Sequence, residues 1–131
     1  MSIALKFSTI TVTDVDEALA FYCDGLGFVV LGDVSYGGRW VTLGADGGDA
    51  QVVLEVPEGG RSEADANTLQ ELVTKGVMPL TVFKTDDLDG LFERLLSSGA
   101  EVLQEPMEQS WGPRDCAFRD PSGNIIRIAQ A

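Results

Sequence analysis

The hydrophobic positions of this chain form the same pattern twice. In the first half, an alternating run at 6–13 leads to Asp14, and apolar residues then follow the spacing of one helix face: Val15, Ala18, Leu19 and Tyr22. In the second half, an alternating run at 79–85 leads to Asp87, and the same spacing returns 73 positions later: Leu88, Leu91, Phe92 and Leu95. Each half therefore predicts a strand and then a helix. We expect Asp14 and Asp87 to cap these helices, because an N-cap carboxylate accepts hydrogen bonds from the unpaired N–H groups of the first turn.

Three short β-rich runs follow each predicted helix. They are 28–31, 40–43 and 51–56 in the first half, and 101–103, 114–119 and 124–129 in the second. We therefore predict one compact domain in three parts: a first βαβββ module at 1–56, a linker at 57–77 with a short helix around 69–74, and a second βαβββ module at 78–131. Two such modules predict an α+β fold, in which a curved mixed sheet surrounds a cavity and the helices cover its outer face.

The last predicted strand carries an unusual charge. It follows the stretch DPSGN, which is typical of a turn because Pro and Gly break regular structure and Asn tolerates a left-handed backbone. Within the strand, Arg127 shares a face with Ile125 and Ala129. A charge on a partly buried face needs a partner or a function.

Composition limits the kind of protein. The chain has 131 residues, of which 44% are hydrophobic, and this is enough for a packed core. No apolar run approaches the roughly 20 residues of a membrane helix, so we expect no membrane partner. The first residues do not resemble a secretion signal, and we expect a cytoplasmic protein. Cys23 and Cys116 lie within predicted elements, which is typical of reduced thiols.

The charge is strongly negative. There are 21 acidic and 9 basic residues, which give a net charge of −12. This balance disfavours nucleic acid as a partner, because phosphates require clustered Lys and Arg. It would attract cationic small molecules, although it also serves solubility alone.

Histidine is absent. The chain therefore lacks the usual general base at neutral pH and the commonest nitrogen ligand for transition metals. Nucleophiles activated by histidine, as in Ser–His and Cys–His pairs, are excluded as well.

Three stretches resemble the vicinal oxygen chelate superfamily, which includes glyoxalase I, extradiol dioxygenases, and fosfomycin and bleomycin resistance proteins. They are TVTDVDEALAFYCDGLGF at 11–28, DDLDGLFERLLSSGAEV at 86–102 and WGPRDCAFRDPSGNIIRI at 111–128. The resemblance implies the paired-module fold. It does not fix the activity, because this fold supports many.

The resemblance also implies where a metal would bind. Metal enzymes of the family take one ligand from the first and one from the last strand of each half, which here gives Phe7, Glu55, Leu80 and Arg127. Phe7 and Leu80 have no donor atom, and Arg127 is a cation. We therefore expect neither a metal nor another cofactor.

Glu55 is interpreted as the counterpart of Arg127, 72 residues earlier in the repeat. In family geometry both would point into the cavity. We therefore predict that the two side chains approach one another, within one chain or across a dimer. The alternative is that Arg127 extends to solvent at the cavity mouth.

The resemblance, without metal or histidine, favours the drug-sequestering resistance proteins. The leading hypothesis is a homodimer that binds an antibiotic-like or bulky planar metabolite, cationic or aromatic, without turnover. One alternative is a metal-free enzyme that uses Glu55 as a base or Arg127 to stabilise an oxyanion. Others are a metal enzyme with different ligands, and a binder of an unrelated metabolite.

Aromatic residues and strand alternation predict the lining of the cavity. Trp40 and Trp111 are the only tryptophans, and either could instead be a structural ring. Alternation adds Phe7, Thr9 and Thr11 from the first strand, and Leu80 and Val82 from its counterpart. The predicted ligand-binding residues are Phe7, Thr9, Trp40, Glu55, Leu80, Val82, Trp111 and Arg127.

Overall fold

The computed structural model describes residues 2–35, 37–45 and 48–131. The chain divides into two compact units, residues 1–71 and 72–131, and each has its own sheet. The division falls inside a helix, α2 (Glu63–Lys75).

Unit 1 carries the first βαβββ module. Its elements are β1 (Phe7–Thr11), α1 (Val15–Leu19) with a π-helical continuation (Ala20–Gly25), β2 (Val29–Ser35), β3 (Arg39–Gly44) and β4 (Gln51–Glu55). The strands lie in the order β1-β4-β3-β2. Strand β1 runs parallel to β4, while the β4–β3 and β3–β2 pairs are antiparallel.

Unit 2 repeats this connectivity. Its elements are β5 (Thr81–Thr85), α3 (Leu88–Ser97), β6 (Glu101–Gln109), β7 (Gly112–Arg119) and β8 (Ile125–Gln130). The strand order is β5-β8-β7-β6, again with a parallel first pair and antiparallel pairs after it. The predicted α+β fold with two βαβββ modules is confirmed.

One face of each sheet packs against the helix of its unit. In unit 1 the buried strand residues of this face alternate with the open face, and the helix contributes its own apolar stripe. These core residues are Ile10, Val41, Leu43, Val52 and Leu54 from the strands, and Val15, Ala18, Phe21 and Tyr22 from the helix. In unit 2, Phe92 of α3 contacts Phe118 of β7, with 5.4 Å between the ring centroids. The opposite face of each sheet is left for other contacts.

Both predicted helix caps are present. The Glu17 N–H donates to Asp14 Oδ1 at 3.0 Å, and the Gly90 N–H donates to Asp87 Oδ1 at 3.0 Å. Because the caps lie 73 residues apart, they give a common origin for comparing the two modules.

Three elements are longer than predicted. Strand β2 continues to Ser35 instead of ending at 31, β6 continues to Gln109 instead of 103, and α2 begins six residues before position 69. Both strands are sheet edges with irregular register. An edge strand tolerates Pro106, because its N–H side need not pair.

The turn before β8 is built on Asp120. Its Oδ1 accepts the backbone N–H groups of Ser122, Gly123 and Asn124, each at 2.9 Å. The left-handed position falls on Gly123, with φ of 118°, and not on Asn124, whose amide donates to Asp120 Oδ2. No helix in the described part of the chain has the length and apolar character to cross a membrane.

Candidate functional site

The open face of the unit 1 sheet carries the strongest candidate site. Strand register places Glu55 beside Thr11 on one side and beside Trp40 on the other, so the three side chains share that face. The Phe7 ring meets the Trp40 ring edge to face, with centroids 5.9 Å apart and planes at 89°. Trp40 is therefore held in place by an aromatic neighbour.

A cavity of about 380 Å³ opens at this end of the sheet. Two predicted site residues, Trp40 and Glu55, line it together with Val34 and Arg39. The remaining lining consists of Gly38, Val56, Gly59 and Gly60. The size, the aromatic wall and the few polar groups are those of a small-molecule site.

Glu55 is held by two donors. Its Oε1 accepts from Thr11 Oγ1 at 3.0 Å and from Arg61 Nη2 at 2.7 Å. The Nη1 of Arg61 donates to the backbone carbonyls of Val56 (3.4 Å), Pro57 (3.2 Å) and Gly59 (3.5 Å). One guanidinium thus fixes both the carboxylate and the segment that forms a wall of the cavity.

Arg39, at the other side of the cavity, is neutralised by two carboxylates. Its Nη2 lies 2.8 Å from Asp33 and its Nη1 lies 2.9 Å from Asp16. The hydrogen bond from Arg39 lowers the pKa of Asp33, and the bonds to Asp33 and Asp16 raise the pKa of Arg39. The cavity therefore presents few unpaired charges.

Arg127 lies on the open face of the unit 2 sheet and has partners in its own unit. Its Nη1 donates to Asp115 Oδ2 at 2.9 Å and to Gln104 Oε1 at 3.1 Å. Gln104 and Gln109 also donate to Asp115 Oδ1, at 3.0 Å and 2.8 Å. Burial raises the pKa of Asp115, but the hydrogen bonds from the two glutamines and the charge of Arg127 outweigh it, so that the pKa lies below its usual value.

The expected equivalence of Glu55 and Arg127 is wrong by two residues. Three positions before the caps stand Thr11 and Lys84; Thr11 pairs with Glu55, whereas Lys84 pairs with Ala129. Ala129 is thus the counterpart of Glu55, and Arg127 corresponds to Val53. Because each charge is satisfied within its own unit, the original reason for pairing Glu55 with Arg127 is removed, and the pairing itself stays a prediction.

The other predicted residues are distributed over both units. Thr9 is exposed on β1, and Leu80 and Val82 are exposed at the start of β5. Trp111 lies in the turn between β6 and β7 and is 73% exposed. Their part in ligand binding stays a prediction.

Sequence reasoning missed Arg61, Gln104 and Gln109. Arg61 follows a Gly-Gly turn six residues after Glu55, and this closeness in sequence was a usable signal. The two glutamines lie on an edge strand whose length was underestimated, so their alternation could not be followed.

The family positions for a metal do not fit one here. Phe7 and Leu80 are hydrocarbons, Arg127 is a cation, and Glu55 Oε1 is engaged by Arg61. In residues 2–35, 37–45 and 48–131, no three His, Cys, Asp or Glu side chains converge as a ligand set.

These features define a small α+β protein with two βαβββ modules and an open sheet face that carries an aromatic cavity. The chain belongs to the glyoxalase/bleomycin resistance protein/dioxygenase superfamily, whose family model matches residues 4–128. The family resemblance seen in the sequence is confirmed.

Individual relatives agree with this assignment. YurT of Bacillus subtilis (strain 168) is 32% identical over 126 residues, which cover 94% of this chain and 95% of YurT. The crystal structure of UcmS2 has a TM-score of 0.87 at 33% identity and covers all of both chains. TnmS3, described as an antibiotic binding protein from Streptomyces sp. CB03234, has a TM-score of 0.77 at 29% identity and covers 99% of this chain and 98% of its own.

Proposed function

We propose that this protein binds a bulky planar small molecule, of the antibiotic type, and holds it without chemical change. The observation that carries the proposal is the cavity of about 380 Å³ in unit 1, with Trp40 as one wall and Glu55 as its polar group. An aromatic wall with few fixed polar groups suits a flat ligand that stacks and is then oriented by hydrogen bonds.

The similarity to TnmS3 supports the proposal. That protein is described as antibiotic binding, and the match extends over nearly the whole of both chains. We further propose that the protein acts in the cytoplasm as a homodimer. The alternative of turnover by Glu55 and Arg127 gains no support from their contacts, because each side chain is engaged by other partners in its own unit.

Binding without turnover can be tested with two planar probes, neutral 9-phenanthrol and the cationic dye proflavine. Equilibrium dialysis at micromolar protein measures binding, and mass spectrometry of the released probe measures chemical change. We expect at least one probe to be retained and recovered with unchanged mass. Retention of neither probe would contradict the proposal, and a new product mass would indicate an enzyme.

Replacement of Trp40 tests the position of the site. We expect Trp40→Ala to weaken binding of the retained probe by about 1–3 kcal/mol, because a stacked ring at the centre of a site carries much of the affinity. Trp40→Phe should recover part of the loss. Trp111→Ala tests the second predicted tryptophan in the same titration. If both alanine variants remain folded and bind as tightly as the parent, the ligand does not stack on these rings.

A further inference from the structure

The unit 1 cavity contains one acceptor atom that the protein leaves unused. Glu55 Oε1 receives both Thr11 and Arg61, whereas Oε2 has no hydrogen-bond partner in the described part of the chain. The Glu55 side chain is only 14% exposed. A ligand that fills the cavity would remove the remaining water from this oxygen, and an oxygen buried without a donor is costly.

The charge around that atom is already compensated. Arg61 lies 2.7 Å from Glu55, and Arg39 is paired with Asp33 and Asp16. A cationic ligand would therefore meet a carboxylate that has its counter-ion, and would lose hydration without gaining an unpaired partner. A neutral donor needs only the free lone pairs of Oε2.

The wall beside Glu55 is made mostly of backbone. Gly38, Gly59 and Gly60 line the cavity without side chains, and Arg61 clasps the carbonyls of Val56, Pro57 and Gly59. The cavity thus pairs an aromatic wall with a wall low in side chains, and a flat ring fits between them. Arg61 acts here as a positioning residue, because it fixes both the wall and the acceptor.

From these contacts we infer the class of ligand: a flat aromatic molecule that carries a neutral hydrogen-bond donor, such as a phenolic hydroxyl or an amide N–H, directed at Glu55 Oε2. This rests on the proposed function, and it replaces the expectation of a cationic ligand, which came from net charge alone. The donor and not a positive charge determines which planar molecules are retained.

Four probes on one ring system test this inference: 9-phenanthrol, 9-methoxyphenanthrene, 9-(aminomethyl)phenanthrene and phenanthrene-9-carboxylate. We expect 9-phenanthrol to bind most tightly and the methyl ether about threefold to tenfold more weakly, the usual value of one hydrogen bond. Glu55→Ala should remove the difference between phenol and ether. Glu101→Gln, a surface carboxylate of unit 2 paired with Arg119, is the matched control and should leave it unchanged.

Replacement of Arg61 reverses the charge argument. Arg61→Met leaves Glu55 without a counter-ion, so the aminomethyl probe should gain affinity relative to 9-phenanthrol, while Arg61→Lys should retain the parent order. Thermal unfolding confirms that each variant is folded. Binding of none of the four probes would overturn the proposed function and this inference together. Equal binding of phenol and ether, or preference of the parent for the aminomethyl probe, would overturn the inference alone.

Discussion

A single residue, Arg127, shows how a charge is accommodated on the face of a sheet. The strand alternation that aims Arg127 away from the core also places Asp115 on the same face, one strand away. Asp115 is 6% exposed, and the two glutamines complete its hydrogen bonds. A buried ion pair gains little unless the remaining donors and acceptors are satisfied, and here the glutamines serve that purpose.

We expect Asp115→Asn to destabilise the fold by about 1–3 kcal/mol at pH 7, because it leaves Arg127 without its counter-ion. The pKa of Asp115 is lowered in the folded state, so its stabilising contribution is present above the unfolded pKa of about 3.9 and is lost as the pH falls through the folded value. Urea unfolding at pH 7 and pH 3 should show a difference between parent and variant that shrinks in acid. A difference independent of pH would contradict this account.

Cys116 is the second residue with a measurable signature. It is fully buried, and burial followed by the charge of Asp115 raises its pKa to about 11. Because the thiolate is the reactive form, we expect native protein to react very slowly at Cys116 with a thiol-specific reagent at pH 8. The Cys23→Ser variant leaves this thiol alone, and urea should expose it. Rapid stoichiometric labelling of the folded variant would show that the site is accessible.

At the level of elements, sequence pattern located the helices better than the strand registers. The 73-residue repeat fixed both helix starts, since apolar spacing and a capping Asp are local signals. It could not place Glu55 and Arg127, because the last strands are offset by 74 residues and an error of two keeps every side chain on its face.

The candidate site followed the same division between local and distant information. Trp40 and Glu55 were predicted, and the cavity includes both. Arg39 and Arg61 were not, because their partners depend on turn conformations that alternation does not describe. Gln104 lies on an edge strand interrupted by irregular register, where a period of two no longer predicts which face a side chain occupies.

The cap of α3 offers a test at this level. Asp87→Ala removes the acceptor of the Gly90 N–H and should cost about 0.5–2 kcal/mol of unfolding free energy. Asp87→Asn keeps an oxygen at the cap and should cost clearly less. Equilibrium urea unfolding of the three proteins measures both differences. If alanine and asparagine are equally destabilising, charge near the helix terminus and not the capping bond is what matters.

At the scale of the whole molecule, one sheet edge is unusually apolar. Val29, Val30 and Leu31 are consecutive on the edge strand β2, and about half of each side chain is exposed. Consecutive residues of a strand point to opposite faces, so this edge is apolar on both sides. Exposed edges of this kind are normally charged, shortened or covered.

The proposed homodimer would cover such a surface, and its dependence on salt can be derived from charge. Two chains that each carry −12 repel one another, so salt should tighten the dimer if apolar strands hold it together. Sedimentation at micromolar protein should show a dimer that buries well above ~1,000 Å² in total. Val29→Lys should shift it toward monomer, whereas Ile3→Lys, at an exposed position outside every strand, should not. A monomer at all salt concentrations would contradict the proposal. A dimer that dissociates as salt is added would show instead that ion pairs, and not the apolar edge of β2, join the two chains.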